Sequence, residues 1–377
     1  MNKKSLIKRM IYYPFLLFSI KKNKVVCSNF YGKGYGDNPK YIAEQLVKKG
    51  YIVYWLCDDV NKYQFPDYIN VIKKNSFKAL FHLATASVWI DNCRKPIWIV
   101  KRKKQRYYQT WHGSFGIKKA EGDALEKLER EYVESAINDS KMIDRLFADS
   151  EFGKKVWARS FWIEENKIDI TGLARTDIFW SNAKSEIISK VRKSLGIEES
   201  QKIVLYAPTF RNNSDEQVID SSRVISSFNY RLGGNWKFVF RLHPRSKGKI
   251  EYKDAINASG YEDMQELLLA ADALITDYSG CSIDMILQKK PVFMYAEDID
   301  SYVKERGLAL STDELPYKVA RNQNELNDII LNYDCEHYEM ECEKFLKEKE
   351  FKESGDSSKI IAEIISEDVS FMLGGIR

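Results

Sequence analysis

The chain has 377 residues, of which 44% are hydrophobic and 13% aromatic, a composition that excludes a disordered protein. The length suits two domains of ordinary size, and the net charge of +5 is too small to indicate a nucleic-acid partner. Six cysteines without a CxxC pair argue against a disulfide framework or a zinc site and suit a reducing compartment.

Residues 1–22 are predicted to associate with a membrane. The first 24 residues contain seven lysines or arginines and no acidic residue. The apolar run 10–20 is shorter than the roughly 20 residues that cross a bilayer, and no signal-peptide cleavage site follows it. The pattern predicts a segment that lies in the interface of an anionic leaflet; a helix packed on the body of the protein is the alternative.

Alternating strands and helices follow, a pattern that predicts parallel sheets. The strands predicted in the first half are 24–30, 51–57, 69–72, 87–92, 106–110, 146–149 and 167–171, and the helices are 39–48, 76–86, two between 123 and 144, and 151–161. The second half has strands at 202–206, 236–242, 273–276 and 291–295, helices at 264–271 and 281–288, and a mostly helical remainder. The predicted fold is α/β, with two Rossmann-like doubly wound domains.

The predicted domain boundary lies in the charged stretch 182–201, whose helix ends at Gly196. An N-terminal domain then covers residues 23–190, and a C-terminal domain with the last helices covers residues 191–377. Tandem doubly wound domains are expected to turn the carboxyl ends of their strands toward a shared cleft, where ligands bind.

A histidine follows the predicted strand 106–110. His112 stands between Trp111 and Gly113, and the glycine allows the backbone to approach a substrate closely. Since histidine titrates near neutral pH, a histidine at a strand end suits the removal of a proton from a hydroxyl group. The alternative is a structural histidine in a turn.

Cationic and small polar side chains follow other predicted strands, where they suit the phosphates of a ligand. These candidates are Arg175, Thr209, Arg211, Arg241, His243, Asp277, Ser279 and Asp284. Each has a structural alternative: Arg175 can pair with Asp177, the Thr209 segment can be a turn at Pro208, and Ser279 can cap a helix.

Two further loops stand out. The glycine-rich loop 32–36 lacks the GxGxxG spacing, which argues against NAD, and it is expected to serve substrate access. The basic run 101–106 is expected to follow the phosphates of a polymer, with a solvated charge run as the alternative.

Taken together, these motifs resemble the CDP-glycerol glycerophosphotransferase family, which primes and extends teichoic acids and related capsule polymers. The resemblance covers residues 24–310. The blocks that carry it, in the family's order, are Trp111-His112-Gly113, Ala207-Pro208-Thr209-Phe210-Arg211, Leu242-His243-Pro244, Thr276-Asp277-Tyr278-Ser279 with Asp284, Lys290-Pro291-Val292-Phe293, Tyr295, Asp298, Tyr302 and Arg306-Gly307.

The resemblance implies a GT-B architecture in which His112 is the general base that activates the hydroxyl of the acceptor. The donor-binding residues that it implies are Arg175, Thr209, Arg211, His243, Asp277, Ser279, Gly280 and Asp284. The acceptor-binding residues that it implies are Trp111, Gly113 and Ser114.

Three departures from the family pattern concern the loops that would contact polyol and acceptor. Ser114 and its successors replace the usual Thr-Pro, Gly280 replaces a second serine, and Ala174 and Thr176 flank Arg175 in place of Pro and Asn. The departures leave the reaction class unchanged and put the identity of polyol and acceptor in doubt.

The resemblance predicts an enzyme that transfers glycerol phosphate, or a related polyol phosphate, from a CDP-linked donor to a hydroxyl of a lipid-linked polymer, with release of CMP. No tightly bound cofactor or metal is expected, and a loosely held Mg²⁺ stays open. The expected location is the cytoplasmic face of the membrane, as a peripheral protein on an anionic surface.

Several points stay open at this stage. A GT-B glycosyltransferase or epimerase that uses a nucleotide sugar is the alternative enzyme, and a membrane-surface binding protein with a degenerate transferase fold is the alternative of another class. Glycerol or ribitol as the polyol, primase or polymerase action, and self-association are undecided.

Overall fold

A computed structural model describes residues 1–115, 117–209, 219–242, 252 and 254–374. The chain forms two compact units. Unit 1 contains Met1–His112, Ala120–Asp177 and the residues from Phe351 onward, and unit 2 contains Gly113–Lys119 and Ile178–Glu350.

The strands of the described residues are, in chain order, β1 (Lys21–Ser28), β2 (Ile52–Cys57), β3 (Asn70–Lys73), β4 (Ala86–Asp91), β5 (Arg106–Gln109), β6 (Arg145–Ala148), β7 (Ile168–Ile170), β8 (Gln201–Ala207), β9 (Asn235–Phe240), β10 (Ile256–Asn257), β11 (Ala273–Thr276), β12 (Val292–Tyr295) and β13 (Val319–Ala320).

The α-helices are α1 (Lys3–Tyr12), α2 (Asp37–Lys48), α3 (Phe77–Thr85), α4 (Arg130–Met142), α5 (Glu151–Phe161), α6 (Lys184–Leu195), α7 (Ser221–Leu232), α8 (Met264–Ala270), α9 (Cys281–Leu287), α10 (Ile299–Glu305), α11 (Gln323–Leu331), α12 (Cys335–Glu348) and α13 (Ser357–Gly374). Short 3-10 helices lie at Tyr13–Leu17, Glu121–Lys127, Glu165–Lys167, Ala174–Trp180 and Thr312–Glu314.

Both sheets are parallel and doubly wound, so the predicted fold class is confirmed. The sheet of unit 1 has the order β3-β2-β1-β4-β5-β6-β7, and that of unit 2 has the order β10-β9-β8-β11-β12-β13. In each sheet the chain moves first to one side of the opening strand and then to the other. The switch points, where such sheets bind ligands, lie between β1 and β4 in unit 1 and between β8 and β11 in unit 2.

Local signals in the sequence explain several element ends. The side chain of Ser76 accepts a hydrogen bond from the Ala79 amide at the start of α3. As predicted, α6 stops at Gly196, which adopts a left-handed conformation. Gly36 precedes α2, and Asp37 is the first residue of that helix.

The division of the chain differs from the predicted boundaries. Residues 178–190 belong to unit 2, and α13 belongs to unit 1. The reason is that α13 buries its apolar face in the core of unit 1, where it packs on α2. Asp177 also accepts hydrogen bonds from the Ser357 and Ser358 amides and thereby satisfies the start of α13.

The N-terminal segment packs on unit 1 along one side only. The Tyr12 ring is buried and meets Trp98 edge-on, while Met10, Leu17 and Phe18 are exposed, Leu17 by 89%. No described helix combines the length and the apolar character that crossing a bilayer requires.

Candidate functional site

The first candidate site lies at the switch point of unit 1, where two asparagines follow neighbouring strands. Asn29 follows β1, and Asn92 follows β4. The Asn92 amide nitrogen donates to Asn29 Oδ1 at 2.7 Å, and Asn92 Oδ1 accepts from the Phe30 amide at 2.8 Å. Since both asparagines are buried, this pair joins the two loops rigidly.

His112 lies beside this pair. Its Nδ1 is 2.8 Å from the backbone carbonyl oxygen of Asn92. Because a carbonyl oxygen only accepts hydrogen bonds, Nδ1 carries a proton, and in the neutral ring Nε2 then holds the lone pair. His112 is partly exposed. In its neutral form the side chain can therefore accept a proton at Nε2, and its role as the general base stays a prediction.

The backbone that leads to His112 is strained and tightly held. Trp111 has a φ of 51°, a left-handed conformation that is rare for a tryptophan. Asn38 Nδ2 lies 3.3 Å from the carbonyl oxygens of both Thr110 and Trp111, and the Arg175 guanidinium donates to the His112 carbonyl at 3.0 Å. Three successive carbonyl groups thus accept hydrogen bonds from side chains, which fixes the direction of the histidine.

Arg175 holds this backbone from a buried position. Its guanidinium also pairs with Asp37 at 3.2 Å, and its amide donates to Asn38 Oδ1 at 3.0 Å. The expected alternative, a pair between Arg175 and Asp177, does not form, because Asp177 binds the start of α13. These contacts favour a positioning role for Arg175, and the predicted contact with the donor stays a prediction.

An aromatic and charged layer lies behind Trp111. The Trp111 ring stacks on the His112 ring with centroids 4.3 Å apart and meets Phe161 at 4.4 Å. The buried Arg94 guanidinium lies over the Phe161 ring and pairs with Glu121 and Asp139. Burial raises the pKa of Asp139 to about 6, although Arg94 opposes the shift. The layer limits the movement of Trp111.

The seven residues that follow His112, residues 113–119, belong to unit 2. The Lys119 amide donates to the carbonyl of Gly307, and the Ala309 amide donates to the carbonyl of Ile117 at 2.7 Å. The Arg306-Gly307 block of the resemblance therefore anchors segment 113–119. The predicted acceptor-binding roles of Gly113 and Ser114 stay predictions, and both residues lie in this anchored segment.

The second candidate site lies at the switch point of unit 2. Asp277 follows β11, and Thr209 follows β8. The Asp277 carboxylate accepts hydrogen bonds from the Thr209 amide and from the Thr209 hydroxyl, each at 2.9 Å. Asp277 thus orients Thr209. The predicted donor contacts of Asp277 and Thr209 stay predictions.

The turn that follows β11 has a different character. The Ser279 hydroxyl accepts a long hydrogen bond of 3.4 Å from the Cys281 amide, so its capping alternative is only weakly realised. Gly280 has an ordinary φ of −63° with open space where a Cβ would stand. Asp284 is buried and accepts from Gln265 Nε2 at 3.1 Å.

Other members of the family-like blocks have packing roles. The Tyr278 hydroxyl donates to Asp298 at 3.0 Å, and the Tyr278 ring stacks on Tyr302 with centroids 3.6 Å apart. Arg211 and His243 lie outside the described residues. Among the described residues, no group of three or more His, Cys, Asp or Glu side chains is arranged to hold a metal ion.

Three of the cationic side chains in the basic run 101–106 bind groups of the protein itself. Lys101 and Arg106 pair with Asp144, and Arg102 donates to the carbonyl of Phe18 in the N-terminal segment. Lys103 and Lys104 remain exposed.

Sequence reasoning missed the asparagines and aromatic residues around His112. Asn29 and Asn92 each lie at the carboxyl end of a predicted strand, a signal that was available, whereas Asn38 and Arg94 have partners far away in the sequence. Phe30 and Tyr31 stand directly before the glycine-rich loop that was expected to serve substrate access.

Comparisons with known proteins show which family the chain resembles. The model of the family described as CDP-Glycerol:Poly(glycerophosphate) glycerophosphotransferase matches residues 10–367. The teichoic acid poly(glycerol phosphate) polymerase of Staphylococcus epidermidis is 27% identical over 93% of this chain and 51% of its own length. The teichoic acid glycerol-phosphate transferase of Staphylococcus aureus is 29% identical over 88% of this chain and 90% of its own.

A solved structure of the wall teichoic acid polymerase TagF superimposes with a TM-score of 0.86, at 25% identity and over 98% of both chains. This similarity confirms the predicted GT-B type of fold. The chain spans about half the length of the S. epidermidis polymerase. With its two doubly wound units, and with a family match that runs through both, the chain belongs to the CDP-glycerol:poly(glycerophosphate) glycerophosphotransferase family.

Proposed function

We propose that the chain transfers glycerol phosphate, or a related polyol phosphate, from a CDP-linked donor to a hydroxyl group of a membrane-linked polymer and releases CMP. The observation that carries the proposal is the hydrogen bond from His112 Nδ1 to the Asn92 carbonyl. It leaves Nε2 as a proton acceptor at the ligand-binding edge of the first sheet.

In the proposed reaction, the hydroxyl oxygen of the acceptor attacks the β-phosphorus of the donor, and His112 Nε2 takes the hydroxyl proton. A new phosphorus–oxygen bond forms as the bond from the β-phosphorus to the bridging oxygen breaks, and its electron pair leaves with CMP. Catalysis of this kind depends on positioning and on neutralising charge on the phosphates.

Unit 2 is proposed to hold the donor. The loop after β8 carries Thr209 in a fixed orientation, and the family resemblance adds Arg211 and His243 as cations for the phosphates. Ser279 and Gly280 follow the neighbouring strand β11. The proposal includes no tightly bound metal, and a Mg²⁺ carried by the donor phosphates is tested as a separate condition below.

The N-terminal segment is proposed to bind an anionic membrane surface from the cytoplasmic side. Leu17, Met10 and Phe18 expose apolar surface, and Lys3, Lys4 and Lys8 of α1 are exposed beside them. Such a combination suits the interface of a bilayer. Binding to anionic vesicles that is absent for neutral vesicles supports this part, and equal sedimentation with both contradicts it.

The test of the reaction is release of CMP from CDP-glycerol, with CDP-ribitol and UDP-glucose in parallel, a lipid-linked polyol phosphate acceptor, and Mg²⁺ present or removed. His112→Ala is expected to lower kcat by about 10²–10⁴-fold, since a general base contributes roughly this factor. His337→Ala, on the exposed face of α12, is the matched control.

Release from one CDP-polyol that falls in the His112 variant alone supports the proposal and names the polyol. Turnover of UDP-glucose without turnover of either CDP-polyol overturns it in favour of a glycosyltransferase. Absence of any turnover by the intact chain favours the binding-protein alternative.

A further inference from the structure

The loop after β1 holds two aromatic residues in a strained conformation. Phe30 and Tyr31 have φ values of 41° and 60°, in the left-handed region that residues other than glycine rarely adopt. Their side chains are 38% and 51% exposed, so burial of the rings in the core does not explain the strain. Backbone strain of this kind persists only where surrounding contacts impose it, and it concentrates at functional sites.

Hydrogen bonds on both sides impose this conformation. The amides of Gly32 and Lys33 donate to the Asn29 carbonyl at 2.7 and 2.8 Å, and the Phe30 amide donates to Asn92 Oδ1. The Asn29 side chain donates to the Lys33 carbonyl at 3.1 Å. The loop is thus tied to the end of β1 and to Asn92, whose backbone carbonyl also accepts the hydrogen bond from His112.

The two rings stand next to the proposed base. The centroids of the Phe30 and His112 rings are 5.4 Å apart. Phe30 follows β1, which flanks the switch point of unit 1, and His112 follows β5, which is the next strand after β4 in the sheet. Tyr31 follows Phe30 directly. Its neighbours include Cys93, whose Sγ is 3.9 Å from His112 Nδ1. The loop and His112 therefore lie within contact distance of one another.

The chemistry of the loop suits a polyol phosphate. Aromatic faces pack against the C–H groups of a polyol, and a tyrosine hydroxyl adds a polar contact. The Tyr31 side chain is about half exposed, and its partial burial, together with the neighbouring Cys93, Asp91 and Glu121, raises its pKa, so this hydroxyl stays neutral and can donate to an anion. Lys74 donates to the Tyr31 carbonyl, and Lys33, two residues after Tyr31, is exposed.

We infer that Phe30 and Tyr31 form the acceptor subsite, which takes the terminal polyol of a phosphodiester-linked chain, with Lys33 beside its first phosphate. This inference rests on the proposed function, because it supplies the acceptor for the same base. It accounts for the strain: the left-handed backbone presents both rings to solvent beside His112 instead of folding them into the core.

The test uses Phe30→Gly and Tyr31→Gly, because glycine adopts positive φ freely and removes the ring without adding strain. Each variant is expected to raise the KM for the acceptor about tenfold, which is the loss of one aromatic contact, while the KM for the CDP-polyol stays unchanged. The thermal midpoint should not fall, since the backbone strain is relieved.

Lys33→Gln is expected to raise the KM for the acceptor at low salt and to reduce its dependence on salt. Tyr230→Ala removes an aromatic ring that is 84% exposed on α7 and serves as the control for loss of a surface aromatic residue. Equal acceptor KM values in the intact chain and both glycine variants overturn the inference, as does an equal rise in the KM for the donor.

These outcomes are separate from failure of the proposed reaction. If the intact chain releases CMP and the glycine variants match it in acceptor KM, the subsite alone is wrong. If the intact chain turns over no CDP-polyol, calorimetric titration with tri(glycerol phosphate) decides: binding that weakens about tenfold in Phe30→Gly supports the subsite, and unchanged or absent binding refutes it.

Discussion

The Thr176 hydroxyl lies within hydrogen-bond distance of two acceptors, 2.6 Å from the Leu173 carbonyl and 2.7 Å from Glu353 Oε2. One hydroxyl proton cannot serve both. A proton on Glu353 solves the conflict, because the acid then donates to Thr176 while Thr176 donates to the carbonyl. Burial raises the pKa of Glu353 to about 8, and the neighbouring Asp149 and Asp177 add to the shift.

A pH-dependent stability follows from this residue. An unfolded glutamate titrates near pH 4.3, so between that pH and about 8 the folded chain binds one proton more than the unfolded chain. The free energy of unfolding therefore falls as pH rises through this window. Glu353→Gln keeps a donor toward Thr176 at every pH. Relative to the parent, its free energy of unfolding should rise between pH 5 and pH 8.5 by about 4 kcal/mol, since each of about three pH units contributes about 1.4 kcal/mol.

Urea unfolding at pH 5, 6.5 and 8.5 measures the difference between the two chains. Glu348→Gln, an exposed position on α12, controls for the loss of one negative charge. Identical pH slopes for parent and Glu353→Gln would mean that Glu353 is ionised in the folded chain.

At the scale of residues, the sequence indicated His112 because its chemistry and its place after a strand are local features. The role of Arg175 was not accessible in the same way. Its partner Asp37 is 138 residues away, and no pattern near either residue identifies the other. Asn38 and Arg94 were missed for the same reason, since buried polar pairs depend on how distant loops meet.

At the scale of elements, two glycines illustrate opposite constraints. Gly172 has a φ of 78°, and a Cβ there would lie 2.4 Å from Ser357 Oγ and 2.8 Å from the Lys352 carbonyl oxygen, at the start of α13. Gly280 has an ordinary conformation with nothing within 4 Å of a Cβ. The first glycine is required for the docking of a helix, and the second is not.

Gly172→Ala is expected to destabilise the chain by more than about 2 kcal/mol, because backbone and helix must both shift. Gly280→Ala should stabilise it by about 0.4–1 kcal/mol through reduced freedom of the unfolded chain. Chemical denaturation of both variants measures the two values. Destabilisation by Gly280→Ala would indicate that the turn after β11 needs a conformation that only glycine adopts.

The order of most strands and helices was predictable because long apolar runs and helical periodicity are local, although helix α7 was not predicted. The two-residue strands β10 and β13 were missed, since two residues carry no period. The helix cap at Ser76 follows from residue type. At the start of α13 the residue types Asp356, Ser357 and Ser358 also suit a helix start, but the sequence does not reveal that the amides of Ser357 and Ser358 donate to Asp177.

At the scale of the whole molecule, unit 1 is assembled from distant parts of the chain. Ile361, Ile365 and Val369 of α13 are fully or almost fully buried in one cluster with Val25 and Ile42. The amphipathic pattern of α13 predicts that one face is buried, but not against which partner. For that reason the sequence alone assigned this helix to the wrong domain.

Ile365→Ala should lower the free energy of unfolding by about 2–4 kcal/mol, because it leaves a cavity in this core. Amide hydrogen exchange should accelerate in α2, β1 and β2 and stay unchanged in β8 and β9 of unit 2. Phe371→Ala, at a ring that is 83% exposed on the same helix, is the control and should change stability by less than about 0.5 kcal/mol. Uniform acceleration in both units would contradict separate cores.

The return of the chain to unit 1 also has a consequence for synthesis. β1 and α2 precede unit 2 in the chain, whereas α13, which closes their hydrophobic cluster, follows unit 2. Unit 2 is nearly continuous, and its described strands all precede α13. Nascent chains should therefore complete unit 2 while the core of unit 1 is still open on the side that α13 covers. A stop codon that removes α13 leaves α2 without its packing partner, and Asn38 of α2 holds the backbone before His112.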